Sequence, residues 1–69
     1  MTLVAAEMSA RVYQLSVAEG AEVRTGDVVA VLESMKMEIP VDATSDGTVH
    51  FLVEEGSEIT EGSTIAEIG

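Results

Sequence analysis

The chain contains a single lysine, Lys36, and a methionine stands on each side of it. A lysine acts as a nucleophile when burial or a cationic neighbour favours its neutral amine, but the nearest charged neighbours here are the acids Glu33 and Glu38. We therefore predict that Lys36 is a site of covalent attachment and not a catalytic group. Met35 and Met37 are predicted to form a flexible contact surface beside it. The alternative for these methionines is that they fill the end of the hydrophobic core.

No other set of residues offers recognisable chemistry. The chain has no cysteine and one histidine, His50, so neither a disulfide nor a metal site is expected, and it has no catalytic triad or phosphate-binding loop. Thirteen acids against three bases give a net charge of −10, which argues against nucleic-acid binding. This acidity is typical of a solvated surface, and it also suits docking to basic partner enzymes.

The length and hydropathy of the chain limit its organisation. Its 69 residues suffice for one domain, spanning residues 1–69. No apolar run is long enough to cross a membrane, and the first residues lack the features of a secretory signal. We expect a cytoplasmic, monomeric domain that does not contact membranes.

The sequence repeats itself with an offset of thirty-six residues. Gly20 to Leu32 reads GAEVRTGDVVAVL, and Gly56 to Ile68 reads GSEITEGSTIAEI. Extended back to Tyr13 and Val49 without a gap, the alignment contains six identities in twenty positions. Two copies are too few for a solenoid, so we expect one domain built from two related halves.

Each copy has the pattern of β structure. Tyr13, Leu15 and Val17 alternate with the polar Gln14 and Ser16, and in the second copy Val49, Phe51 and Val53 alternate with His50. Glycines at matching positions mark turns, and Val28 to Leu32 is a short β-prone run. We predict an all-β fold, a flattened β-barrel or sandwich of two antiparallel sheets with an approximate two-fold axis, because pairing two halves protects the strand edges.

This symmetry predicts where Lys36 lies. The lysine falls in the segment that joins the two copies, with strands expected before it and, around Pro40, after it. Met35-Lys36 is then a two-residue hairpin turn without the usual glycine or asparagine, which implies mild strain. A shift of thirty-six residues from this turn runs off both ends of the chain. Lys36 is therefore expected at an exposed tip, at the opposite end of the domain from the termini.

The junction resembles a known motif. Met35-Lys36-Met37, with Glu33 before it and Glu38-Ile39-Pro40 after it, is similar to the biotinylation motif of biotin carboxyl carrier domains in the biotinyl/lipoyl attachment family. The usual alanine of that motif is replaced by Ser34 in the same hairpin. The two glycine-bearing copies also resemble this family, over nearly the whole chain. The spacing from Gly26 to Lys36 leaves no room for the protruding segment that some members have.

The resemblance implies a carrier and not an enzyme. A biotin protein ligase would join biotin to the side-chain nitrogen of Lys36, with Met35 and Met37 as flanking recognition residues. The domain would then carry carboxyl groups between a biotin carboxylase site and a carboxyltransferase site. Its own contribution is the high local concentration of a tethered group.

Two alternatives remain open. The same fold and turn lysine occur in lipoyl carriers of 2-oxo-acid dehydrogenase or glycine cleavage systems, so lipoate, or acceptance of both groups, is possible. Typical lipoyl domains have an acid before the lysine and often a small residue after it, a pattern that Met35 and Met37 do not follow. The second alternative is an unmodified protein-interaction module that binds a partner through the methionines.

Overall fold

A computed structural model describes all 69 residues, which form eight β-strands and no helix. The strands are β1 (Thr2–Ala5), β2 (Ala10–Leu15), β3 (Glu22–Val23), β4 (Val28–Ser34), β5 (Met37–Asp42), β6 (Gly47–Phe51), β7 (Glu58–Ile59) and β8 (Thr64–Ile68). They make two four-stranded sheets with the orders β1-β8-β6-β3 and β5-β4-β2-β7, and all pairings are antiparallel. The predicted all-β sandwich is confirmed. With only strands present, the chain has no helix that could span a membrane.

The second half of the chain repeats the first in space. Replacing β1 to β4 by β5 to β8, and the reverse, converts the order of one sheet into the order of the other. Each sheet therefore contains two strands from each half. The glycines of the two copies agree in detail, since Gly20 and Gly56 have φ of 81° and 88°, and Gly26 and Gly62 have 94° and 89°. This agrees with the predicted two-fold relation.

The core between the sheets is made of the same symmetric pairs. Thirteen hydrophobic residues are buried, and no polar or charged residue is buried with them. Twelve of the thirteen form six pairs related by the repeat, namely Ala6 and Ala43, Val12 and Val49, Val23 and Ile59, Val29 and Ile65, Ala30 and Ala66, and Leu32 and Ile68. Because the first half contributes seven of these residues and the second half six, neither half has a complete core of its own.

In β2, the predicted alternation of inward and outward side chains is shifted by one residue for the positions before Leu15. Val12 is fully buried and Tyr13 is 50% exposed, whereas the sequence pattern placed Tyr13 inward and paired it with Val49. The cause is a β-bulge, because the pairing with β4 shifts between Val12 and Gln14. Tyr13 is an extra residue in the first half, so the repeat offset is thirty-seven residues before it and thirty-six after it. The gapless alignment could not contain this insertion.

Two glutamates fasten the halves to each other. Glu19 Oε1 accepts a hydrogen bond from the Phe51 backbone N–H at 2.7 Å, and Glu55 Oε2 accepts one from the Leu15 N–H at 2.9 Å. The two bonds are related by the repeat, and each glutamate serves the strand of the other half. Glu19 also contacts His50, with 2.7 Å between Oε2 and Nδ1. These hydrogen bonds hold the pKa of the Glu19 carboxyl below its ordinary value, and the bond from the Phe51 N–H has a larger effect than the one from His50.

Replacing Glu19 by glutamine is expected to lower the melting temperature at pH 7 and to matter less in acid. A carboxyl group with a lowered pKa in the folded state adds stability above its unfolded pKa, about 4.3 for glutamate, and loses it as the pH falls through the folded value. Thermal unfolding of both proteins from pH 7 to pH 3 tests this. Glu22→Gln is the control, because Glu22 is exposed and its side chain makes no hydrogen bond. A difference between wild type and Glu19→Gln that is independent of pH would contradict the assignment.

Candidate functional site

The segment around Lys36 is a tight hairpin turn between β4 and β5. Ser34 pairs with Met37 across the hairpin, so only Met35 and Lys36 lie in the turn. Their φ angles are +52° and +66°. Positive φ at both central residues is the mark of a type I′ turn, which usually contains asparagine and glycine. The predicted two-residue turn is present, and its backbone conformation explains the predicted strain. For residues other than glycine, asparagine and aspartate, the left-handed conformation costs about 1–2 kcal/mol per residue.

Relieving this strain at Met35 is expected to stabilise the domain. Asparagine tolerates positive φ, so Met35→Asn should raise the free energy of unfolding by about 1 kcal/mol and the melting temperature by several degrees. Met37→Asn is the matched control, because Met37 is also exposed but lies in β5 without positive φ. Thermal unfolding compares the two. A Met35→Asn protein no more stable than wild type would show that the turn stores no such strain.

The side chains of the turn are turned outward. Met35 is 92% exposed and Met37 is 61% exposed, so these methionines do not fill the end of the core. Lys36 is exposed as well, and its ammonium forms no ion pair, since the one salt bridge in the structure joins His50 and Glu19. An unpaired amine between two flexible thioethers is accessible to an acylating enzyme.

The turn and the chain termini lie toward opposite ends of the domain. The β4–β5 hairpin is closed at Ser34 and open at Val28, which pairs with Asp42. From the open end the chain continues to Thr48, whose backbone exchanges two hydrogen bonds with Gly69 at 3.0 and 3.2 Å. The six residues of β5 span about 20 Å, most of the 31 Å long dimension of the molecule. Lys36 therefore projects away from any segment attached at either terminus.

A row of charged residues crosses the sheet just behind the turn. Glu33 and Glu38 pair directly across the hairpin, and Arg11 is the partner of Glu33 on the other side and of Glu58 beyond it. These four residues lie on the outer face, because the next row, with Val12 and Leu32, is buried. The sequence revealed Glu33 and Glu38 as neighbours of Lys36. It did not reveal the row, since the row joins four strands that are separate in the chain.

Lys36 lies outside the two main grooves of the molecule. The two main grooves of the molecule are lined by other residues, one between β1 and β5 and one between Leu15 and Phe51. No group of three or more histidine, cysteine or acidic residues is arranged to hold a metal ion. The exposed amine of Lys36, which forms no ion pair, therefore suits covalent attachment.

Comparison with known proteins decides the family. Residues 2–68 match the family described as biotin-requiring enzyme, whose members share a biotin/lipoyl domain. The chain belongs to this family. Among its relatives is the biotin-dependent acyl-coenzyme A carboxylase alpha3 subunit of Mycobacterium leprae, 53% identical over 66 residues. That alignment covers 94% of this chain but only 11% of the much longer subunit.

Two other relatives of the family are short proteins. The biotinylated protein TB7.3 homolog of Mycobacterium leprae is 47% identical, and 94% of this chain aligns with 93% of it. The biotin/lipoyl attachment protein of Bacillus subtilis is 36% identical, with 94% and 90% covered. Among solved structures, the urea carboxylase of Kluyveromyces lactis matches 99% of this chain with a TM-score of 0.91 and 33% identity, over 6% of its own length.

These relatives confirm the predicted family and its biotin cofactor at the level of the family. They also connect the domain to carboxylase systems, as the sequence motif implied. The residues Met35, Lys36 and Met37 remain predictions of the sequence motif, and the structure brings them together at one exposed tip.

Proposed function

We propose that residues 1–69 work as one biotin carrier domain and that biotin is attached through an amide bond to Nζ of Lys36. The observation that carries the proposal is an exposed, unpaired lysine on a strained two-residue turn, in a chain that belongs to the biotin-requiring family. A biotin protein ligase would form the amide from the biotin carboxyl group and the amine of Lys36, with ATP as the energy source. Met35 and Met37 would give the ligase an adaptable apolar contact on both sides of the amine.

The domain contributes position and not catalysis. Biotin, when bound, supplies a ureido nitrogen that accepts and releases a carboxyl group. The rigid hairpin holds Lys36 at the end of the molecule, so that the tethered group reaches a biotin carboxylase site and a carboxyltransferase site without diffusing away. The four-carbon lysine chain adds reach. The absence of cysteine fits the reducing cytoplasm, where we place this carrier as a monomeric domain.

Transfer of labelled carbonate tests the carrier function. The biotinylated domain is incubated with the biotin carboxylase component of the same genome, ATP and isotopically labelled bicarbonate. Label is expected on the biotinylated wild-type domain and absent from the unmodified domain. A biotinylated domain that never acquires label above the unmodified one would exclude the carrier function while leaving biotin attachment intact.

A lipoyl carrier is the second candidate, because the similar Bacillus subtilis protein is a biotin/lipoyl attachment protein over nearly its whole length. The same exposed amine of Lys36 would accept lipoate from a lipoate ligase. An antibody specific for protein-bound lipoate distinguishes this modification from biotin on protein taken from its own host.

A further inference from the structure

The outer faces of the two sheets carry different side chains at positions that the repeat makes equivalent. In the sheet that carries the Lys36 hairpin, Gln14, Val31 and Pro40 form one outward row. The positions related by the repeat in the other sheet are His50, Glu67 and Leu3. A glutamate occupies the equivalent of Val31, so the fold itself does not require a hydrophobic residue there. The difference between the two rows lies at this central position, because the outer positions are similar: Gln14 corresponds to His50, and Pro40 corresponds to the exposed Leu3.

Tyr13 adds to the same face. It is the extra residue of the β2 bulge and has no counterpart in the second half, and it is 50% exposed. Bulges re-aim side chains, and tyrosine gives a large contact area with a polar tip. It is also among the residues most often found to dominate binding energies. We call the outward surface of Tyr13, Gln14, Val31 and Pro40 the Tyr13 face.

The Tyr13 face is within reach of a protein bound at Lys36. Val31 and Lys36 are five residues apart along the hairpin, which corresponds to about 16 Å. A standard interface covers about 800 Å² of each partner, roughly 30 Å across. A protein with Lys36 in its active site and lying against this sheet would cover both.

The charged residues between the Tyr13 face and the Lys36 turn indicate which groups a partner protein would present to this surface. The row of Glu58, Arg11, Glu33 and Glu38 lies between the Tyr13 face and Lys36, with three acids against one base. Glu33 and Glu38 are directly opposite each other, an arrangement that destabilises a hairpin. A partner with an apolar pocket flanked by basic groups would relieve this repulsion.

We propose that the Tyr13 face is the surface on which the biotin protein ligase docks, an inference that rests on the proposed biotinylation of Lys36. The ligase must select this amine from every other exposed lysine in the cell. All exposed lysine side chains present the same amine, so the selection depends on the protein surface around the lysine. The Tyr13 face and the acidic row provide such a surface on the same side of the hairpin.

The test is the kinetics of biotin transfer by the ligase of the same genome. Tyr13→Thr is expected to raise KM for the domain about tenfold, the loss of a contact worth about 1.4 kcal/mol, with kcat within about twofold. Leu52→Thr is the matched control, because Leu52 is 53% exposed and follows β6 of the opposite sheet. Its KM is expected to equal that of wild type. Val31→Thr probes the Tyr13 face with little change of volume.

Each result has one meaning. If wild type accepts biotin and both Tyr13→Thr and Val31→Thr keep its KM, the docking surface is wrong while biotinylation stands. If Leu52→Thr raises KM as much as Tyr13→Thr, the effect is not specific to this face and the inference is also wrong. If wild type accepts no biotin from an active ligase, the proposed function itself fails. Thermal unfolding of each variant verifies that the compared proteins are folded.

Discussion

A protein in which Lys36 is replaced by arginine is expected to carry no biotin at all. Arginine keeps the positive charge and a similar length, but its guanidinium does not form the amide. Lys36 is the only lysine of the chain, so no second side chain can substitute for it. Streptavidin detection after expression with an active ligase measures the effect, which is all or none. A streptavidin signal on Lys36→Arg as strong as on wild type would contradict the assignment of the site.

The same variant separates the carriers from an interaction module. Lys36→Arg should unfold at the wild-type temperature, since the side chain is exposed and forms no ion pair. A partner that bound the unmodified domain through Met35 and Met37 would still be captured by Lys36→Arg. Full retention of a stable partner other than the biotin ligase supports the module, and the absence of such a partner, together with the loss of biotin, supports the carrier.

Replacing Leu32 by alanine is expected to unfold much of the protein. Leu32 is 1% exposed and is one of the largest fully buried side chains. Truncations of this kind cost about 2–5 kcal/mol, and a chain of this length has about 3–10 kcal/mol of stability in total. The melting temperature should fall by about 10 °C or more, which circular dichroism detects.

Leu52→Ala is the control for this change, because it removes the same atoms from a side chain that is 53% exposed. Its melting temperature should move by no more than a few degrees. Equal effects of the two substitutions would show that the core does not lie between the two sheets around Leu32. Loss of biotinylation in Leu32→Ala, with Lys36 intact, would show in addition that the ligase requires the folded hairpin.

The hairpin and its lysine were predictable because local sequence rules determine them. Two strands separated by two residues leave no other place for Met35 and Lys36 than the turn, and the repeat sets the turn opposite the termini. The positive φ of both residues follows from the right-handed twist of the hairpin. None of these steps requires knowledge of distant contacts.

The register of β2 was not predictable in the same way. Alternation alone makes Tyr13 as good an inward residue as Val12, and a bulge is visible only from the partner strand. The first strand, Thr2–Ala5, was missed for the same reason. Its counterpart is β5 at an offset of thirty-seven residues, and an alignment without a gap at Tyr13 ends before reaching it. The long-range bonds of Glu19 and Glu55 likewise join residues that no sequence pattern brings together.

The symmetry of the fold explains how so small a domain presents its lysine. Each half completes the core of the other, so buried residues of both halves contribute to its stability. The closed turn and the termini occupy equivalent positions in the two halves. The termini thus lie at one of these positions and Lys36 lies at the other.

The most direct test of biotin attachment at Lys36 is the intact mass of the protein produced in its own host, with the modified residue located by fragmentation. We expect a mass gain equal to biotin minus one water molecule, located on Lys36. A gain that matches lipoate would move the protein to acyl transfer, and an unmodified mass in a host with active ligases would contradict the carrier function.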